Sequence, residues 1–123
     1  MQDILNEIIT HKKREVARLK EEHPLSMLEQ RLSTESVPFY SLKTALEKSS
    51  TGIIAEFKRR SPSKGWINRS AEATTVVQAY ELAGAAALSV LTDEPYFGGT
   101  LTDLRAATKS VSIPVMRKEF IVD

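Results

Sequence analysis

The sequence has 123 residues, 41% hydrophobic and 27% charged, enough for one ordinary domain and unlike a disordered chain. With 17 basic and 16 acidic residues the net charge is +1, so no electrostatic case exists for a nucleic-acid or membrane-surface partner. There is no cysteine, which excludes disulfides and thiolate chemistry, and no apolar run approaches the roughly 18 residues of a membrane span.

The start, Met1-Gln2-Asp3-Ile4-Leu5, has no basic stretch ahead of an apolar one, so no secretory signal is expected and a cytoplasmic location is the default. Residues 3–22 read as a helix: Ile4, Leu5, Ile8, Ile9, Val16 and Leu19 recur near helical spacing, with Asp3 as candidate N-cap. Lys12, Lys13, Arg14, Lys20, Glu21 and Glu22 are expected on its wet face. Pro24 ends it, because the residue before proline avoids the helical region. Leu25, Met27, Leu28 and Leu32 suggest a second short helix over 25–32. His11 and His23 have no metal-ligand spacing and read as surface residues.

After a polar connection, Phe39, Leu42, Ala45 and Leu46 suggest a brief helix closed by Ser49-Ser50-Thr51-Gly52. Ile53-Ile54-Ala55 then opens a first strand, about 53–58, of the kind covered on both faces. Glu56 and Lys58 follow two apart and so share one face, before Ser61-Pro62-Ser63-Lys64-Gly65 breaks the strand into a loop. A helix is predicted from Glu72 to Ala83, with Ser70 as candidate N-cap and Gly84 as its stop. Ala87–Thr92 is a second buried strand, 93–99 a polar and aromatic loop, Leu101–Lys109 a helix, and Ile113–Lys118 a third strand.

Two helices followed by βαβαβ predict an α/β fold with a parallel sheet. No GxGxxG or P-loop opens the first crossover helix, which disfavours a nucleotide-binding domain. The three strands end alike, in Glu56 and Lys58, in Thr92, Asp93 and Glu94, and in Arg117, Lys118 and Glu119. In a parallel sheet these ends share one edge, where α/β folds place their chemistry. Lysines converging with carboxylates there suit acid–base work, and Phe97 and Phe120 beside them suit an aromatic, anionic ligand. The plainer readings are solvated strand ends and aromatic loop anchors.

Those residues carry a resemblance. Ile53 through Gly65 is similar to the first-strand signature of the indole-3-glycerol-phosphate synthase family. The likeness continues in Leu88-Ser89-Val90-Leu91-Thr92-Asp93 with Tyr96-Phe97-Gly98-Gly99, and in Pro114 through Asp123. It implies a (βα)8 TIM barrel of which residues 1–48 are an N-terminal helical extension and 49–123 the first three strands. It implies a cofactor-free, metal-free carboxy-lyase of tryptophan biosynthesis. The reaction closes the ring of a small phosphorylated substrate, 1-(2-carboxyphenylamino)-1-deoxyribulose 5-phosphate, with loss of carbon dioxide and water. By resemblance the catalytic residues are Lys118, the general acid on the ketone oxygen, Glu56, the carboxylate beside it, and Lys58, a cation on the substrate's anionic groups or a second proton donor. Ser61 matches a substrate contact, and Phe97 and Phe120 the pocket for the anthranilate ring. The one departure is Glu119, where the family usually carries aspartate.

A (βα)8 barrel takes roughly 250 residues. The general base and phosphate-binding loops of the family belong to later strands, so the chain is expected to be an N-terminal fragment, inactive alone. It is expected to associate with itself or with a missing C-terminal half. The alternative is a non-catalytic half-barrel module that binds an anion at its strand ends.

Overall fold

The computed structural model describes residues 3–123. Met1 and Gln2, at the head of the expected helical extension, lie outside the described residues. The chain divides into two units, one made of Met1–Phe39 with Phe120–Asp123, the other of Tyr40–Glu119.

The first unit carries helices α1 (Ile4–Glu22) and α2 (Leu25–Thr34). Asp3 caps α1 as expected, its carboxylate accepting from the Leu5 amide at 3.2 Å. The expectation of a wholly wet basic face needs correction: Lys12 is buried. Its ammonium pairs with Glu15 one turn on, at 3.0 Å, which offsets part of the cost of taking the charge out of water. Lys20 pairs with Asp123 within the same unit.

The second unit begins with α3 (Leu42–Lys48), capped by the Ser41 hydroxyl, and is built around a three-stranded sheet. Strands β1 (Ile54–Phe57), β4 (Ala87–Leu91) and β5 (Val115–Lys118) lie parallel in that order. Helices α4 (Ala73–Leu82) and α6 (Leu101–Ser110) cross between them. Phe57, Ala73, Val77, Leu88, Val90 and Ala107 form the core between one sheet face and these helices. Strand alternation sends Ile54, Glu56, Ser89, Met116 and Lys118 to the other face.

The central strand β4 is buried at all five residues, as its apolar run predicts. Strand β1 differs from expectation. Ile53 and Ile54 are exposed, because β1 has a partner on one side only and the helices cover one face of it. Hydrogen bonds tie the crossovers down. Thr51 donates to the Gly84 carbonyl at 2.7 Å, and Glu81 accepts from the Ser112 amide at 2.7 Å and the Ile113 amide at 3.1 Å.

Two stretches expected as loops are ordered. Residues 60–66 form a short hairpin of β2 (Arg60–Ser61) and β3 (Gly65–Trp66). Its three-residue turn, Pro62-Ser63-Lys64, leads into Gly65 at φ +65°, a backbone conformation that favours glycine. The second is α5 (Glu94–Phe97), one helical turn capped by Asp93 and stopped by left-handed Gly98. Ser70 is not the cap of α4: that position is Glu72, which makes no side-chain capping bond, and the Ser70 hydroxyl turns to Asn68.

The segment after β1 hangs on Arg59. Its guanidinium donates to both oxygens of Asp103 in α6, at 3.0 and 2.9 Å, and to the carbonyls of Arg69 and Ala71. It also stacks 5.0 Å from the centre of the Phe57 ring. The hydrogen bond to Asp103 raises the Arg59 pKa above its ordinary value, against the opposing effect of burial.

Candidate active site

Parallel pairing brings the C-terminal ends of β1, β4 and β5 to one edge of the sheet. The register sets Glu56 beside Ser89 and Ser89 beside Met116, with Lys118 level with Leu91. Lys118 therefore leaves from the outer strand and reaches across β4. Its ammonium meets Glu56 Oε2 at 2.7 Å, and the Ser89 hydroxyl donates to that same oxygen at 3.1 Å. Ser89 is buried, Glu56 half-buried, and the Lys118 side chain 52% exposed. A fixed hydroxyl thus orients a carboxylate, which holds an accessible cation: a proton donor presented to solvent on a set bearing.

Lys58 lies one residue past the end of β1, so strand alternation no longer fixes its direction. Among the described residues it makes no hydrogen bond or ion pair that would neutralise it. Lys118 is thus held and Lys58 is not.

Ser61 is buried in the hairpin, where its hydroxyl accepts from the Lys64 amide at 3.2 Å. That bond leaves the hydroxyl proton available to a ligand or to Ser63, 3.5 Å away. Phe97 ends α5, directly after β4, and is half-buried. Phe120 belongs to the unit of the N-terminal helices, not to the unit that carries the other candidates.

The loop from β4 is held close. Asp93 is buried and accepts from the Tyr96 amide at 3.0 Å, and the Gly99 amide returns to the Asp93 carbonyl at 2.9 Å. A Cβ at Gly99 would stand 2.1 Å from the Leu91 carbonyl oxygen, so only glycine lets the loop fold back onto the strand end. Glu119 follows Lys118 just past the end of β5. Its carboxylate accepts from the Thr92 hydroxyl at 3.0 Å.

Sequence reasoning grouped the charged strand ends but gave no role to Ser89 or Thr92. Both are small hydroxyl residues in a strand that reads as buried, where a polar group needs a partner. Among the described residues no group of three or more His, Asp or Glu could hold a metal ion, and no helix is long and apolar enough to cross a membrane.

Residues 5–123 match the family model described as "Indole-3-glycerol phosphate synthase". A Bacteroides thetaiotaomicron protein of that name is 50% identical over 123 residues, all of this chain and 47% of its own length. A namesake from Neisseria meningitidis serogroup C is 43% identical over 127 residues, covering 100% of this chain and 48% of the relative. One from Desulfosudis oleivorans is 44% identical, covering 99% and 48% respectively. The chain spans about half the length of the curated relatives it matches.

Proposed function

Since the chain belongs to the indole-3-glycerol phosphate synthase family, we propose that it serves the ring closure for which that family is named. The reaction is the conversion of 1-(2-carboxyphenylamino)-1-deoxyribulose 5-phosphate to indole-3-glycerol phosphate in tryptophan biosynthesis. Carbon dioxide and water leave, and no cofactor or metal takes part. The observation that carries this reading is the 2.7 Å contact of Lys118 with Glu56 at the strand ends, inside the matched stretch.

In this reading the Lys118 ammonium donates a proton to the substrate's ketone oxygen as the new carbon–carbon bond forms. A cation at that oxygen stabilises the developing negative charge. Glu56 orients the ammonium, and Lys58, unpaired, meets the substrate's anionic groups. Ser61 is a substrate contact. Phe97 is a contact for the anthranilate ring. No residue of this chain is given the part of general base. The test is the full-length protein with this substrate, followed by the absorbance of the indole ring. Ring formation supports the reading, and a folded protein that forms no indole ring overturns it.

The fold proposed is the first part of a (βα)8 barrel, with residues 1–48 as helical extension and the strands after them. Strands β1 and β5 each have a partner on one side only, and Ile53, Ile54 and Met116 are exposed. A barrel closes such edges with further strands. The 123-residue chain prepared alone is therefore expected to associate, with itself or with a C-terminal half, and to show no turnover by itself. A compact monomer in sedimentation at micromolar concentration would count against this.

A further inference from the structure

We propose that Thr92 is a positioning residue for Lys118, gripping the end of β5 at three successive residues. The proposal rests on the reading of Lys118 as the proton donor. A lysine ammonium sits on a flexible four-carbon stem, and an acid that must meet one oxygen has to be held to a fraction of an ångström. Glu56 and Ser89 hold the tip of that stem. Its root is the last residue of β5, where regular strand pairing stops.

Thr92 secures the root. Its amide donates to the Lys118 carbonyl at 3.2 Å. Its hydroxyl accepts from Arg117 Nε at 3.0 Å and donates to Glu119 Oε2 at 3.0 Å. Arg117 and Glu119 also approach each other, at 3.8 Å. One hydroxyl thus uses its single proton on the residue after Lys118 and a lone pair on the residue before it. Thr92 is only 8% exposed and the Glu119 side chain 6%, so water competes little for the bond between them, while Arg117 is half-exposed. Alternation sends Arg117 to the face opposite Lys118. The root is therefore held from the core side while the tip is held from the other.

The test uses the full-length protein and the indole-forming assay. Thr92→Val keeps the shape and the backbone bond but deletes both hydroxyl bonds. It is expected to lower kcat by ~10–100-fold with KM within ~3-fold, as a displaced acid does. Thr92→Ser, which restores the hydroxyl, is expected to stay within ~3-fold of the parent. In a Lys118→Ala background Thr92→Val is expected to add no further loss, because the group it positions is gone. If Lys118→Ala turns over like the parent, the reading of Lys118 falls. If Lys118→Ala is slow but Thr92→Val keeps the parental kcat, or costs the same factor in both backgrounds, the clamp is overturned. Should Thr92→Val not fold, Glu119→Leu, which removes the acceptor of the hydroxyl, carries the test: a kcat lowered with KM unchanged supports the clamp, and an unchanged kcat overturns it.

Discussion

Replacing Lys118 with alanine in the full-length protein is expected to lower kcat by about 10²–10⁴-fold, the usual worth of a positioned general acid. Lys118→Arg separates the proton from the charge. Arginine keeps the cation but does not give up its proton in proteins, so it is expected to recover little of the loss. The geometry supports this expectation because Lys118 does not act as a bare surface charge. It ends 2.7 Å from Glu56, whose position is set by a buried hydroxyl 33 residues downstream. Steady-state rates at saturating substrate decide the matter. Parental turnover in the alanine variant would refute the role.

Asp103→Asn is expected to destabilise the protein by about 3–5 kcal/mol, the range for removing one partner of a buried ion pair. Arg59 is 16% and Asp103 12% exposed at the side chain, so the guanidinium would be left without its counter-charge in a largely dry setting. The effect reaches beyond the pair, since Arg59 also holds the carbonyls of Arg69 and Ala71 ahead of α4. The Arg59 pKa is raised in the folded state, so its contribution is fully present below the ordinary guanidinium value and constant across the neutral range. Replacing both residues with leucine is expected to recover only part of the loss, because those carbonyls would still lack a donor. Chemical denaturation gives the measure, and an Asp103→Asn midpoint equal to the parent's would sink the claim.

The parallel sheet was legible because β4 has no polar face to spare: five consecutive buried residues can only be a strand covered all round. The same logic misjudged Ile53 and Ile54. An apolar run shows what a strand could bury, not which neighbours are present to bury it. Glu56 and Lys118 were placed on one edge by topology alone, but their contact depends on register, which no local pattern encodes. Lys58 shows the limit of alternation, since the period of two lapses once β1 ends at Phe57. Arg59 and Asp103 lie 44 residues apart with nothing periodic to link them. Lys12 read as solvated because a single sequence shows its charge and not the burial of its side chain.

The sheet order β1-β4-β5 is also the order of synthesis, so each strand is made after the neighbour it pairs with. Glu56 leaves the ribosome first, Ser89 follows 33 residues later, and Lys118 comes 62 residues after Glu56. At ~5–20 residues per second the carboxylate waits roughly 3–12 s for its cation. For the first 33 of those 62 residues the hydroxyl of Ser89 is also still to be made. The carboxylate and its cation can therefore meet only once all three strands have been made.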